Sequence, residues 1–351
     1  MKRLSIPKYK IKSLNKDFIV TEVPIIPRLT NAGNSKYTYL WVVKNGVTSF
    51  EAQEEIKKYF NLDYSEINLE GLKDEDAVTS QIFSVKRILS ELEIADFNKF
   101  MRNKTRRDIV IDKIIGRGKS AVKERYLHGN TFEVVVRGLS AQVAKRLKSF
   151  CGERTSFSFI NYYDSQRFGM PGGPYNSHII GKKIIEGNWT DALDEIIMTQ
   201  DSRGIKHIVN QDSRDIKRIF DSFNPSKIRF YINSYSSNLW NQDASARIGS
   251  LNSCRKITFD NVASLFIPLK PNYISSSQLG SDGFDFDTKK KKVIKKRKNR
   301  SLVTHTVVYS SDVRRDSLDN KKKAITLSFL LPTGCYATMM IRQLMFYSCL
   351  R

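Results

Sequence analysis

The sequence predicts an α+β protein with a mainly antiparallel sheet, interrupted by an inserted, mostly helical region. Three observations predict it. Short runs rich in aromatic and β-branched residues alternate with amphipathic stretches through the first half of the chain. Few of these runs repeat as the strand–helix–strand units that build a parallel sheet. A further strand candidate, at 324–331, comes close to the end, as if the chain returned to its first sheet.

Taken in order, residues 18–23 and 37–43 read as strands. Thr48 and Glu51 have the spacing of a capping box, and Ala52, Ile56, Tyr59 and Phe60 then fall on one helical face. Strands follow at 81–85, 108–115 and 131–137, and Ser140 caps a second helix whose buried face carries Val143, Leu147 and Phe150. The turn cluster Met170-Pro-Gly-Gly-Pro174 marks a boundary. Helices are expected beyond it at 190–199, 213–220 and 237–248, then a serine-rich stretch at 274–278 and a basic loop at 289–300, KKKKVIKKRKNR. The chain thus divides into a first part over 1–172, an inserted, mainly helical region over 173–305, and a return strand with a C-terminal helix over 306–351.

Composition narrows the function. A chain of 351 residues, 40% hydrophobic and 27% charged, is long enough to bury a core without covalent staples. Lys and Arg (59) outnumber Asp and Glu (36), a net charge of +23. Such a surplus favours a polyanionic partner over a neutral metabolite. No run approaches the ~18 apolar residues of a spanning helix, and the opening MKRLSIPKYKIKSLNKDF lacks the apolar centre of a secretory signal. Cys151, Cys254, Cys335 and Cys349 are widely spaced and read as reduced thiols of a cytoplasmic or, in a eukaryote, nuclear protein. His128, His178, His207 and His305 have no metal-ligand spacing, and no phosphate-binding or dinucleotide fingerprint is present. No cofactor and no metal are expected.

Two stretches carry chemistry. Gly71-Leu-Lys-Asp-Glu-Asp-Ala-Val-Thr-Ser-Gln81 puts Asp74 on a loop feeding a strand; taken alone it is a solvated turn. Asn161-Tyr-Tyr-Asp-Ser-Gln-Arg-Phe-Gly169 combines aromatics, an amide and a guanidinium, groups that stack a base and hold its edge and phosphate. Taken alone, its aromatics are core.

Together the two resemble the TruD family of tRNA pseudouridine synthases. Further stretches match in the family's order: Lys12-Ser-Leu-Asn-Lys-Asp17-Phe18, Leu127-His-Gly-Asn130-Thr-Phe, SYSSNLWNQDASARI from Ser234, and Leu331-Pro-Thr-Gly-Cys-Tyr336-Ala-Thr. The resemblance implies a pseudouridine-synthase catalytic domain split by a TruD-specific insertion. It implies aspartate-dependent, cofactor-independent isomerisation of a flipped-out uridine, first of all in tRNA, although eukaryotic relatives also act on small nuclear and messenger RNA. Asp74 would be the catalytic carboxylate and Lys12 its cationic neighbour, with Lys73 the second candidate for that place. Phe18, Tyr163 and Tyr336 would shape the base pocket. Asn161 would meet the uracil edge, and Arg167 would brace its loop or meet a phosphate. The sequence departs from the family pattern at Asp164, where Gly is usual, at Cys335, where Ser is usual, and at Tyr163, where Phe is commoner. The basic run at 289–300 reads as an RNA-backbone contact, a solvated loop or a nuclear import signal. The alternative function is a non-catalytic RNA-binding protein or chaperone with the same fold. The expected partner is RNA, not a membrane, and monomer is the default.

Overall fold

Alternating burial builds the first strands. In β1 (Phe18–Pro24) Phe18, Val20 and Glu22 face inward, and in β2 (Tyr37–Asn45) burial reaches as far as Lys44. The computed structural model describes residues 6–26, 29–30, 32–69, 71, 73–103, 108–122, 127–169, 174–198, 225–259, 263–270, 278–287, 290 and 292–350. The helix expected at 213–220, most of the 170–174 turn and all but the last residue of 274–278 lie outside these residues. Contacts divide the chain into two units, the first made of Met1–Phe157, Thr306–Gly334 and Met345–Arg351, the second of Ser158–His305 and Cys335–Leu344.

The first unit is organised on a sheet that adds β3 (Ile67–Leu69), β4 (Val78–Val85), β5 (Asp108–Gly118), β6 (Leu127–Leu139), β7 (Arg154–Ile160), β14 (Val303–Ser310), β15 (Arg314–Asp316) and β16 (Asp319–Pro332). Its order is β5-β2-β4-β1-β6-β16-β14-β7, with β3 beside β4 and β15 beside β16. β1 runs parallel to β4 and antiparallel to β6, and β6 pairs antiparallel with β16, so the late strand does return to the first sheet. Gly129 is required there, because a Cβ at that position would stand 2.3 Å from the Leu331 carbonyl oxygen across the ladder.

The helix α1 (Ser49–Phe60) begins as its capping box predicts. Glu51 N donates to Thr48 Oγ1 at 3.1 Å, and Thr48 N donates to the Glu51 carboxylate at 2.9 Å. Its apolar face joins α2 (Glu91–Asn103) over the sheet, where Ile56, Phe60, Phe83, Phe97 and Ile111 form one buried cluster. Ser140 caps α3 (Ala141–Cys151), which buries Leu147 as expected, with Ala144 and Cys151 in place of their neighbours Val143 and Phe150.

In the second unit, α4 (Ser177–Ile185), α5 (Trp189–Ile197) and α6 (Pro225–Gly249) enclose Ile180, Ile184, Leu193, Ile196, Ile228 and Ile232. The described residues there also form β8 (Cys254–Phe259) with β9 (Ala263–Pro268), β10 (Gln278–Ser281) with β13 (Lys298–Ser301), and β11 (Phe284–Asp287) with β12 (Lys292–Lys295). The described residues of 173–305 thus carry three helices and three two-stranded ladders. The basic run contains strands where a loop was expected: among its described residues 292–295 form β12 and 298–300 enter β13, and Val293, Phe284 and Phe286 lie against the helical core. α7 (Ala337–Ser348) follows the Leu-Pro-Thr-Gly turn. No described helix is long and apolar enough to cross a membrane.

Candidate active site

The expected site residues divide between the two units. Lys12, Phe18 and Asp74 lie in the first, and Asn161, Tyr163, Arg167 and Tyr336 lie in the second.

In the first unit Asp74 stands on the loop entering β4. Lys12 Nζ meets its Oδ2 at 2.5 Å, with the two side chains 15% and 43% exposed. The carboxylate is therefore paired yet open to a ligand. Lys12 itself takes a left-handed backbone (φ 57°), an uncommon conformation for a residue with a Cβ. That turn is pinned from inside. Arg137 grips buried Asp17 through two bonds of 2.7 Å, and Leu14 N donates to the same carboxylate at 3.0 Å. Lys10 and Arg137 also exchange backbone bonds of 2.9 and 2.8 Å. The Lys12 ammonium sits 4.6 Å above the Phe18 ring, which packs edge-on against Phe132.

The Asp74 backbone is held by a residue the sequence reading did not single out. Lys44, fully buried at the end of β2, donates to the carbonyls of Val47 (2.6 Å) and Asp74 (3.0 Å). Burial lowers its pKa to about 8, against the pull of the Asp74 carboxylate. A lysine at an inward position of an alternating strand was the signal that could have found it. Lys73 pairs instead with buried Glu22 at 2.6 Å; burial raises the Glu22 carboxyl, and Lys73 opposes that. Ser49 accepts from Lys73 N at 2.9 Å and donates to Gln81 at 2.8 Å, closing the base of the loop.

In the second unit Asn161 is tied twice to Arg300. The guanidinium donates to its backbone oxygen at 2.7 Å and to Oδ1 at 2.6 Å. That amide oxygen is therefore engaged within the protein, and the same side chain also hydrogen-bonds the Cys335 thiol. Arg300 also lies 4.0 Å over the Tyr163 ring, and Tyr163 meets Trp240 and Tyr336 edge-on at 5.8 and 6.0 Å. Asn241, from the SYSSNLWNQDASARI stretch, brackets the Tyr163 backbone with bonds of 2.8 and 2.9 Å.

Asp164 is buried; it accepts from Ser165 N at 2.7 Å and from the Thr338 hydroxyl, which ties the loop to α7. Burial raises the Cys335 thiol and the Tyr336 phenol. Arg167 Nε donates to Ser237 Oγ at 3.2 Å and its guanidinium lies 5.6 Å from the Phe230 ring. Among the described residues no group of three or more His, Cys, Asp or Glu side chains is gathered to hold a metal.

Comparison with known proteins places this architecture. A solved structure of a tRNA pseudouridine synthase D (TruD) from Methanosarcina mazei matches 97% of this chain and 94% of its own, with a TM-score of 0.58 and 16% identity, so the two share a fold. The family model of tRNA pseudouridine synthase D (TruD) matches residues 8–208, and the chain belongs to that family. A tRNA pseudouridine synthase D from Syntrophotalea carbinolica is 27% identical over 191 residues, 54% of this chain and 44% of that protein. The match thus spans less than half of that relative's length. A tRNA pseudouridine synthase D from Aquifex aeolicus is 24% identical over 389 residues, 95% of this chain and 97% of its own.

Proposed function

We propose that this chain is an RNA pseudouridine synthase that isomerises a uridine in tRNA. The observation that carries the reading is the Lys12–Asp74 pair: an accessible carboxylate with a cation at 2.5 Å, on a backbone held by Lys44. The reaction breaks the C1′–N1 bond, turns the base, joins C1′ to C5, and moves one hydrogen from C5 to solvent while N1 gains one. It consumes no electrons and transfers no group to a second molecule, so its essential protein group is one carboxylate beside the ribose. Asp74 can attack C1′ or remove the C2′ proton; both routes begin from the ionised acid. Lys12 sets a positive charge beside the carboxylate, offsetting its repulsion of the RNA phosphates.

A uridine in a folded RNA must first leave its stack, at a cost of a few kcal/mol. Contacts with Tyr163 and Tyr336 of the second unit, at ~1–3 kcal/mol per stacked base, offset it. A non-catalytic binding protein would need the aromatics and the positive charge, but not an open carboxylate paired with a lysine.

The lost C5 hydrogen gives a direct assay. With tRNA transcripts carrying [5-³H]uridine, the wild type releases tritium to water, whereas Asp74→Asn releases none and still binds the transcript. Tritium release by Asp74→Asn at the wild-type rate would reject the assignment of Asp74. Binding without release by the wild type on any tRNA would favour the chaperone reading.

A further inference from the structure

The second unit holds a pair of cations that the reaction itself does not use. Arg167 Nε and Lys298 Nζ both donate to Ser237 Oγ, at 3.2 and 3.1 Å. That hydroxyl in turn donates to the Asn233 carbonyl at 2.8 Å. Two positive charges therefore converge on one neutral oxygen whose hydrogen-bonding capacity is already full. Both groups are partly buried, and among the described residues neither forms an ion pair with a carboxylate. The Lys298 ammonium also lies 4.8 Å over the Tyr163 ring.

The surroundings sharpen the conflict. Arg300 shares the same ring, and Lys296 adds a further positive charge. The nearest acid, Asp285, is engaged by Arg229 at 2.8 Å and by Lys296 at 3.4 Å. Burial first, then Arg167 and Arg300, lower the Lys298 pKa to about 7 against the opposing pull of Asp285. An arrangement of this kind lacks an anion.

We propose that Arg167 and Lys298 form a subsite for one backbone phosphodiester of the RNA, beside the base held at Tyr163 and Asn161. The subsite rests on the function proposed above and deepens it: a phosphate between the two cations fixes the register of the strand, and Ser237 sets the spacing of the pair. Arg300 is spent on Asn161 and serves as a positioning residue. Phosphate binding draws a proton onto Lys298, so affinity falls as pH rises beyond about 7, towards the value left when Lys298 is removed.

The test uses the full chain and a tRNA transcript that it converts. Lys298→Met and Arg167→Gln each weaken binding about tenfold at low salt and lower the slope of log affinity against log salt by about 1. Lys298→Arg keeps the wild-type slope. Neutral methylphosphonates, placed one at a time around the modified uridine, need no change in the protein. One linkage should weaken wild-type binding at least as much as Lys298→Met does, and on RNA carrying that neutral linkage Lys298→Met should add nothing. Additive losses at every linkage, with tritium release by the wild type intact, would overturn the subsite and leave the enzyme reading standing. Competition by inorganic phosphate without a linkage-specific loss would overturn it also, by assigning the pair to a free anion. Absence of release by the wild type would remove the function, and the subsite with it.

Discussion

Lys44 shows how one buried side chain can couple the protonation of the molecule to its chemistry. Its ammonium carries a charge into the sheet and spends it on two carbonyls, one of them that of Asp74. Burial, reinforced by Lys73, outweighs the opposing pull of Asp74, Glu51 and Glu75 and sets its pKa at about 8. Below about 8 the ammonium holds the loop; above it, the neutral amine donates more weakly and the charge beside Asp74 is gone. The single-turnover rate at saturating RNA should therefore fall as pH rises through about 8, and Lys44→Gln should be slower and lack that limb. A wild-type rate that stays flat across this range would contradict the role. Stability moves the other way. The unfolded chain binds this proton more tightly, so between about 8 and 10.5 it carries more protons than the folded chain, and stability rises with pH across that window.

At the scale of elements, the ladder of β6 against β16 joins the early and late parts of the first unit. Gly129↔Pro332 and Asn130↔Leu331 end this pairing, and no side chain fits at Gly129. Gly129→Ala should cost about 1–3 kcal/mol or more, because the obstacle is backbone rather than a movable side chain. Thermal unfolding followed by circular dichroism measures it, and an unchanged midpoint would show that the strands can separate there freely.

Elements with strong local patterns were legible in the sequence. β1, β2 and α1 have alternation or a capping box, and the turn of α1 rests on Thr48 and Glu51 as the spacing requires. β12 and β13 were not legible, because lysine-rich segments favour solvent locally and become strands here only through their partners β11 and β10. The same non-local pairing hid Arg300: in the sequence it is one charge in a run, whereas in the fold it is bonded to Asn161.

At the scale of the molecule, the charge of +23 makes RNA affinity an ionic-strength measurement. If the chain contacts six to ten phosphates, affinity for a tRNA transcript should drop by about 10³ or more between ~50 and ~200 mM salt. A shallow slope would mean that the surplus charge serves something other than backbone contact. Asp74 and Lys12 stood out in the sequence through the family resemblance, with Lys73 as the second candidate for the lysine's place; read alone, the Asp74 stretch is a solvated turn. The sequence could not show that the motif residues divide between two units, nor that Lys73 belongs to Glu22, because burial and side-chain direction arise only when distant strands assemble.

The central claim concerns the Asp74 carboxylate, and nucleotide-resolution mapping of pseudouridine on unmodified tRNA bears on it without intermediaries. Carbodiimide-dependent reverse-transcription stops should appear at a defined uridine after incubation with wild type and be absent with Asp74→Asn, while gel-shift affinities of the two proteins stay within a few-fold. The same stop at equal intensity from the Asp74→Asn protein would contradict the account.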